Sequence, residues 1–292
     1  MQEIEVEKIR VRVQDLTELP AASPLVASLL DAIGNDDITI RELAALIRQE
    51  PALVARIIGL ANSAYFGHVE PITSVEEAIF KSLGLQLTKS LALSIALVGS
   101  FGHKPGARHF DLYRFWSDAV LTATLARTLS GYVRTMPRPS SDDAYLAGML
   151  HNFGMLPLAF LYPEATDDVC ESAHGEADFA RRMQQAIGTD QYEVGVLLAR
   201  QWQIPEQVVA VIGHAHEPDY EGDYQPLVRL LYGVSGVVHH LRNEASFEGE
   251  TEEAVFEPLR SLGIDAVRIR GSLESLQRKE AALESMVHVL AH

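Results

Sequence analysis

Apolar residues recur at helical spacing through most of this chain. The first stripes fall at 25–30, 43–47 and 53–58, where apolar residues stand three or four positions apart with polar residues between them. This spacing puts the apolar side chains on one face of a helix, which indicates amphipathic helices that bury that face. Residues 1–18 are more charged and partly alternating, which fits either a short strand or an amphipathic lead-in. No series of strand-like segments and no fixed-period repeat follows, so the pattern predicts an all-α fold.

Start and stop signals set the boundaries of several predicted helices. Thr39 and Ser74 are each followed three residues later by glutamate. That is the pattern of a capping box, in which the hydroxyl and the carboxylate each accept from the other residue's backbone amide. Pro51 suits the first turn of a helix, and Gly84 suits a helix end. Further helices are predicted at 85–101, 110–130, 142–152, 226–244, 252–262 and 272–290, with shorter ones between 152 and 213.

The chain is predicted to divide near 102–106, where glycine and proline interrupt the helical pattern. We expect a lead-in at 1–18, an N-terminal helical lobe at 19–104, a second helical lobe at 105–245 and a C-terminal helical extension at 246–292. The last predicted helix carries an apolar stripe at Leu273, Leu276, Leu283 and Val287. This stripe fits either packing onto the body of the protein or an oligomer contact through 272–290, and the sequence leaves both open.

The net charge of the chain limits the classes of macromolecule that it is expected to bind. The chain has 292 residues with 24 Lys and Arg against 40 Asp and Glu, a formal net charge of −16. Because affinity for phosphate backbones comes from clustered basic residues, no nucleic-acid binding is expected. The short helices around Glu50 and Pro51 resemble a helix-turn-helix, but the second of them carries Arg56 as its only basic residue.

Targeting signals and disulfides are not expected either. The start of the chain lacks an apolar signal region, and the longest apolar stretch, Leu91 to Phe101, is far shorter than the roughly 20 residues of a membrane span. The lone Cys170 excludes an intrachain disulfide framework and a cysteine-rich zinc module. We therefore expect a cytoplasmic protein with no membrane contact.

Histidines carry the candidate chemistry. His151 follows an apolar helix, His214 and His216 stand at the end of another, and His239 and His240 lie on a third. Neutral imidazole is a common ligand of divalent metals, so two or three converging histidines could hold a metal ion. A single histidine beside a buried helix end is more commonly a structural residue. His239 and His240 cannot chelate together, because adjacent helical residues point about 100° apart.

Two blocks of sequence resemble a known family. They are Pro51–Gly67, PALVARIIGLANSAYFG, and Ala144–Leu156, AYLAGMLHNFGML, with PITSVEEAI and Leu83–Gly84 between them. Together they resemble the HDOD family of bacterial signalling modules, relatives of the HD and HD-GYP phosphohydrolases, over about Leu19 to Leu241. The resemblance implies a helical N-terminal lobe packed on an HD-like helical bundle. The C-terminal extension is not assigned by it.

The resemblance also implies a metal site, which this sequence departs from. HD enzymes bind divalent metal through a His, an adjacent His-Asp pair and a later Asp, and the metal activates water against a phosphate. The corresponding positions here are Asp118, His151 with Asn152, and Ser235. The His-Asp pair keeps its histidine and loses its carboxylate. The additional HD-GYP histidines correspond to Gln191 and to His214 and His216, and the GYP signature itself is missing.

The sequence thus favours a non-catalytic signalling protein, a pseudoenzyme, with a degenerate pocket of Asp118, His151, Asn152, His214, His216 and Ser235. Its expected partners are a protein in a signalling pathway and a small-molecule regulator, and no cofactor is expected. The alternative is a divergent metal-dependent phosphohydrolase acting on a nucleotide or cyclic dinucleotide. In that case a divalent ion would be held weakly by His151, Asp118 and His214.

Overall fold

The computed structural model describes residues 21–102, 106–173, 176–243 and 249–292. Every regular element in these ranges is a helix, which confirms the all-α prediction. The predicted lead-in at 1–18 lies outside the described residues. So do residues 103–105 and 244–248, where the two remaining domain boundaries were predicted. The division of the chain into lobes therefore stays a prediction.

The N-terminal half of the fold is a stack of short helices. They are α1 (Pro24–Gly34), α2 (Ile40–Ile47), α3 (Pro51–Ala61), α4 (Val75–Glu77) with a π-helical continuation (Ala78–Leu83), and α5 (Leu85–Gly99). The helix starts follow the sequence signals closely. Ser23 caps α1, Thr39 and Glu42 form the predicted capping box of α2, and proline opens α3. Gly84 ends the π-helical segment with φ of 76°, a conformation that favours glycine.

The second predicted capping box forms only in part. The Ser74 hydroxyl accepts from the Glu77 backbone N–H, as expected. The Glu77 carboxylate, however, accepts from the backbone N–H of Thr73 and pairs with Lys81 instead of reaching the Ser74 backbone. These contacts, with the Lys81 hydrogen bond foremost, lower the pKa of Glu77 to about 2.

The remaining helices build the bundle that contains the site. They are α6 (Leu112–Ser130), α7 (Ser141–Leu150), α8 (Met155–Leu161), α9 (Pro163–Ser172), α10 (Glu176–Ile187), α11 (Gln191–Gln201), α12 (Glu206–His214), α13 (Gln225–Asn243), α14 (Gly249–Ser261), α15 (Ala266–Arg278) and α16 (Glu280–Ala291).

Helix α6 is the central element of this bundle, packed against α7, α13, α15 and α16. Its closest neighbour is α7, and Gly148 makes that approach possible. A Cβ atom at position 148 would lie 2.5 Å from the Ala123 Cα. The two tryptophans, Trp116 and Trp202, are buried in the same continuous core. The helices that form the site are thus held on a close-packed support.

The C-terminal segment differs from the single helix predicted at 272–290. Helices α15 and α16 meet at Lys279, whose backbone leaves the helical path without a glycine or proline nearby to signal the break. The predicted apolar stripe is buried in the chain's own core at Leu273, Leu276, Leu283 and Val287. That stripe therefore packs onto the body of the protein. An oligomer contact through the remaining surface of 272–290 stays a prediction.

One segment of the described residues, Ser141–Leu161, is long and apolar enough to cross a membrane by length and composition. In the structure it is broken into α7 and α8, and 83% of its most apolar window is buried inside the protein. This is the environment of the core helix of a soluble protein.

Candidate functional site

A cavity of about 370 Å³ lies between α6, the turn after α7, α9 and α13. Four of the six predicted pocket residues line it: Asp118 from α6, His151 and Asn152 from the turn, and Ser235 from α13. Aromatic and aliphatic side chains form much of the remaining wall, including Phe110, Phe115, Met155, Phe179 and Val238. The cavity is large enough for a small molecule, since ligand pockets run from roughly 300 to 1,000 Å³.

His151 is a buried, neutral imidazole with one nitrogen left to accept. It caps the C-terminal end of α7 and is 7% exposed. Its Nδ1 lies 2.7 Å from the carbonyl oxygen of Gly148. Because a carbonyl only accepts, Nδ1 carries the proton, which leaves Nε2 as an acceptor. Burial lowers the pKa of His151 below its usual value, outweighing the opposite effects of the Gly148 hydrogen bond and the Asp118 charge.

Gly154 allows the turn after α7 to approach the start of α11 very closely. A Cβ atom at position 154 would lie only 1.7 Å from the backbone oxygen of Gln191. Only glycine permits this approach between the turn and the first residue of α11. The same approach brings Gln191, which the resemblance matched to an HD-GYP histidine, to the wall of the cavity. The His-Asn-Phe-Gly sequence thus places His151 and Asn152 in the wall, and its glycine lets Gln191 reach the same wall.

The Asp118 carboxylate faces a cation of the protein itself. Arg242 on α13 puts its Nε 3.0 Å from Asp118 Oδ1, and both side chains are 24% exposed. The Nε–H does not point along the line to the oxygen, so the contact is an ion pair and not a hydrogen bond. A terminal nitrogen of the same guanidinium donates to the Ser117 hydroxyl, which fixes the arginine between α6 and α13.

Several polar groups in the wall are open to a ligand. The Asn152 amide, the Thr122 hydroxyl and the Arg114 guanidinium have no side-chain hydrogen bond or ion pair within the described part of the chain. Asn152 and Thr122 are 6% and 1% exposed, so bulk water reaches them little. Ser235 differs, because its hydroxyl donates to the Leu231 carbonyl at 2.7 Å. Since buried polar groups are normally hydrogen-bonded, the open ones are suited to a bound molecule.

The structure does not bring His214 and His216 to this cavity. His214 ends α12, contacts the Glu217 carboxylate at 2.9 Å and stacks on Tyr220. His216 stacks on Tyr192 with ring centroids 3.7 Å apart, and burial lowers its pKa. Neither residue lines the cavity that holds Asp118 and His151.

The sequence analysis did not identify several residues that line the cavity, although they follow a helical spacing. Helices α6 and α13 each present one face to the cavity, and the residues of each face stand three, four or seven positions apart. The first face consists of Asp111, which caps α6, and of Arg114, Phe115, Asp118 and Thr122 on α6, and the second consists of Ser235, Val238, His239 and Arg242 on α13. The spacing of arginine seven residues after the serine was the signal that would have found Arg242.

The donor set does not fit a divalent metal. Of the four positions that correspond to HD metal ligands, one is an imidazole, one an amide, one a hydroxyl, and one a carboxylate that already faces Arg242. Hard divalent ions favour several anionic oxygen or imidazole donors, and a guanidinium at the site repels them. Within the described ranges, no group of three or more His, Cys, Asp or Glu is placed to hold a metal ion.

Comparison with known proteins agrees with this fold. The chain is 28% identical over 240 residues to an uncharacterized protein of Treponema pallidum (strain Nichols), which covers 81% of the chain and 45% of that protein. The chain therefore spans less than half the length of this curated relative. A crystal structure from Marinobacter aquaeolei VT8, described provisionally as a signal transduction protein, has a TM-score of 0.79 at 25% identity, covering 96% of this chain and 61% of that one.

Two further crystal structures share the fold alone at lower identity. An HDOD domain protein of unknown function from Geobacter sulfurreducens has a TM-score of 0.76 at 22% identity over 99% of both chains. A Shewanella amazonensis SB2B protein, provisionally described as a phosphohydrolase, has a TM-score of 0.75 at 24% identity over 95% of this chain and 97% of that one. The HDOD domain family model matches residues 19–218, which confirms the resemblance. This chain belongs to the HDOD domain family.

Proposed function

We propose that this chain is a non-catalytic regulatory protein that binds a small regulator, without metal, in the cavity between α6 and α13. The Asp118–Arg242 ion pair carries the proposal. In HD phosphohydrolases, metal ions activate water and neutralise the phosphate. Here the carboxylate available for such an ion is matched by an arginine of the same chain, and Asn152 and Ser235 add no charge.

The open polar groups support a ligand of moderate polarity. Arg114 offers a cation, Asn152 and Thr122 offer an amide and a hydroxyl, and Phe110, Phe115, Met155, Phe179 and Val238 form an apolar part of the same wall. A molecule with an anionic group and a flat or apolar body would match both features, because convergent polar groups orient a ligand and apolar walls supply affinity. Occupancy of this cavity would stiffen the contact between α6 and α13, and a partner protein would respond to that change.

The signalling role rests on likeness to relatives. The Marinobacter protein, at 25% identity, carries a provisional description as a signal transduction protein. We extend that role to this chain, together with a location in the bacterial cytoplasm, where a lone unpaired Cys170 is unremarkable.

A second candidate is a divergent metal-dependent phosphohydrolase. It is favoured by one observation, namely that His151 and Asp118 line the same cavity. The provisional description of the Shewanella neighbour points the same way, although that likeness extends to the fold alone.

Metal loading of the purified protein separates the two candidates. The protein is incubated with Mn²⁺, Fe²⁺, Zn²⁺ or Ni²⁺, dialysed, and analysed by elemental mass spectrometry. Hydrolysis of bis(p-nitrophenyl) phosphate is measured in parallel. We expect substoichiometric metal and no turnover. The double variant Asn152→Asp/Ser235→Asp restores two carboxylates and is expected to retain more metal than the native chain.

The opposite result would overturn the proposal. It would consist of stoichiometric metal in the native protein that is lost in Asp118→Asn, together with turnover that is lost in His151→Ala. The restored variant serves as the control for loading, because it shows that the conditions can fill a site in this fold.

A further inference from the structure

A second cavity, of about 490 Å³, lies on the other side of α6. Leu112 and Trp116 of α6 contribute to it, whereas Phe115 and Asp118 face the first cavity. The opposite wall comes from α3 and α5, and the end of α16 closes one side. The cavity therefore lies where the N-terminal helices, the central helix and the C-terminal segment meet.

The wall of this cavity is largely apolar. Leu53, Ile95, Val98 and Leu290 are all buried residues of the main core that also line the cavity. The cavity is a partly open cleft, whose lining combines exposed residues such as Glu50 and Gly102 with these buried apolar side chains. It is suited to an apolar molecule of modest size.

Two hydrogen-bond donors in this apolar setting have no acceptor. The Trp116 side chain is 0% exposed, and its indole Nε1–H has no hydrogen-bond partner. Arg56 is half-buried, and none of the described residues gives its guanidinium an ion pair or a hydrogen bond. Burial lowers the pKa of Arg56, and no carboxylate offsets that effect. Of these two donors, the partly exposed Arg56 guanidinium is the one that a ligand in the cavity can reach, since the Trp116 N–H is completely buried.

The charged groups of the wall favour a ligand with no more than one negative charge. Arg56 is the cation of this wall, and Glu50, which also lines the cavity, would repel a second negative charge. The net charge of −16 for the whole chain disfavours a polyanion further. A carboxylate has one charge and two acceptor oxygens, and the guanidinium fork matches its geometry.

We propose that the second cavity binds a small carboxylic acid with an apolar body. The carboxylate oxygens accept hydrogen bonds from the Arg56 guanidinium, the apolar body lies among the leucine, isoleucine and valine side chains, and the Trp116 ring forms part of the adjoining wall. This site is separate from the cavity that contains Asp118 and His151, so it stands or falls independently of the regulator proposed there.

Indole N–H signals give a direct test. The chain has two tryptophans, so its ¹H–¹⁵N spectrum contains two indole signals, and Trp202→Phe identifies the one from Trp116. Decanoate is titrated into the full chain, with 1-decanol as its uncharged counterpart. We expect a saturable shift of the Trp116 signal with decanoate, little change at Trp202, and weaker binding of 1-decanol.

Variants of Arg56 test the role of the charge. Arg56→Gln is expected to weaken decanoate binding about tenfold or more, as the loss of a charge-assisted hydrogen bond predicts. Arg56→Lys keeps the charge and should retain most of the affinity. The matched control is Arg200→Gln, an exposed arginine that lines neither cavity, which should leave the affinity unchanged.

Three results would overturn the proposal. One is a Trp116 signal that does not move up to the solubility of decanoate, which would mean that water alone occupies the cavity. Another is equal affinity of the native protein and a folded Arg56→Gln variant. The third is equal binding of 1-decanol and decanoate, since the site would then select an apolar chain and not a carboxylate.

Discussion

The ion pair between Asp118 and Arg242 allows a quantitative prediction by a double-mutant cycle. At the 3.0 Å separation of Nε and Oδ1, Coulomb's law gives a gross attraction of about 5.5 kcal/mol for an effective dielectric constant of about 20. Desolvation of the two groups cancels much of this attraction. Exposed pairs retain about 0.2–1 kcal/mol, whereas removing one partner of a fully buried pair costs about 3–5 kcal/mol.

Both side chains of this pair are 24% exposed, which places it between these limits. We expect Asp118→Asn and Arg242→Gln each to lower the free energy of unfolding by about 1–3 kcal/mol. The loss in Arg242→Gln includes its hydrogen bond to Ser117. The coupling energy, which isolates the pair itself, should be about 1–2 kcal/mol.

Urea unfolding followed by tryptophan fluorescence gives the four free energies of the cycle. The matched control is the exposed pair Glu274–Arg278, with side chains 65% and 69% exposed and atoms 3.7 Å apart. Its coupling should not exceed about 0.5 kcal/mol. If the coupling between Asp118 and Arg242 is as small as that of the control, the carboxylate is not committed to the arginine. The main support for a metal-free cavity would then be gone.

Two further predictions concern packing and pH. Gly154→Ala should lower the free energy of unfolding by about 3 kcal/mol or more, because the added Cβ would lie 1.7 Å from a backbone oxygen. Gly271 lies in a helix with open space at that position. Gly271→Ala should therefore raise the free energy of unfolding by about 0.5–1 kcal/mol in the same urea assay. Equal effects of the two substitutions would contradict the close approach. Burial lowers the pKa of His151 in the folded state, so the unfolded chain binds more protons below about pH 6.5 and stability should fall as pH decreases there, by at most about 1.4 kcal/mol per pH unit from this group. His151→Gln should flatten that slope between pH 8 and 5, and an unchanged slope would show that the imidazole is not buried and neutral.

Local chemistry made much of the fold predictable. The stripes at 25–30, 43–47 and 53–58 became α1, α2 and α3, because a helix of this length is set by the face it buries. Thr39 and Gly84 marked helix ends for reasons contained within four residues, namely a capping hydroxyl and a left-handed backbone.

Where the outcome depended on distant residues, the sequence was a weaker guide. The break at Lys279 has no glycine or proline to announce it, and its ammonium lies 4.8 Å from the ring centre of Tyr65, far away along the chain. Glu77 followed the capping-box pattern but found other partners in Thr73 and Lys81. Such competitions are decided by tertiary neighbours that a short sequence window does not contain.

The candidate site shows the same division more sharply. Asp118, His151, Asn152 and Ser235 were placed in one pocket because the resemblance fixed three elements relative to one another, namely α6, the end of α7 and α13. The identity of those residues did not reveal which group of the protein pairs with the Asp118 carboxylate. That depended on Arg242, two helical turns after Ser235 on the same face of α13, and on the register of α13 against α6 that puts a guanidinium beside Asp118. An ion pair within the chain can hold two helices together much as a bound metal would, but it brings no activated water. Under the function proposed above, this exchange keeps the architecture of an HD-like cavity without a metal-activated water, and the Asn152, Thr122 and Arg114 groups recognise the ligand.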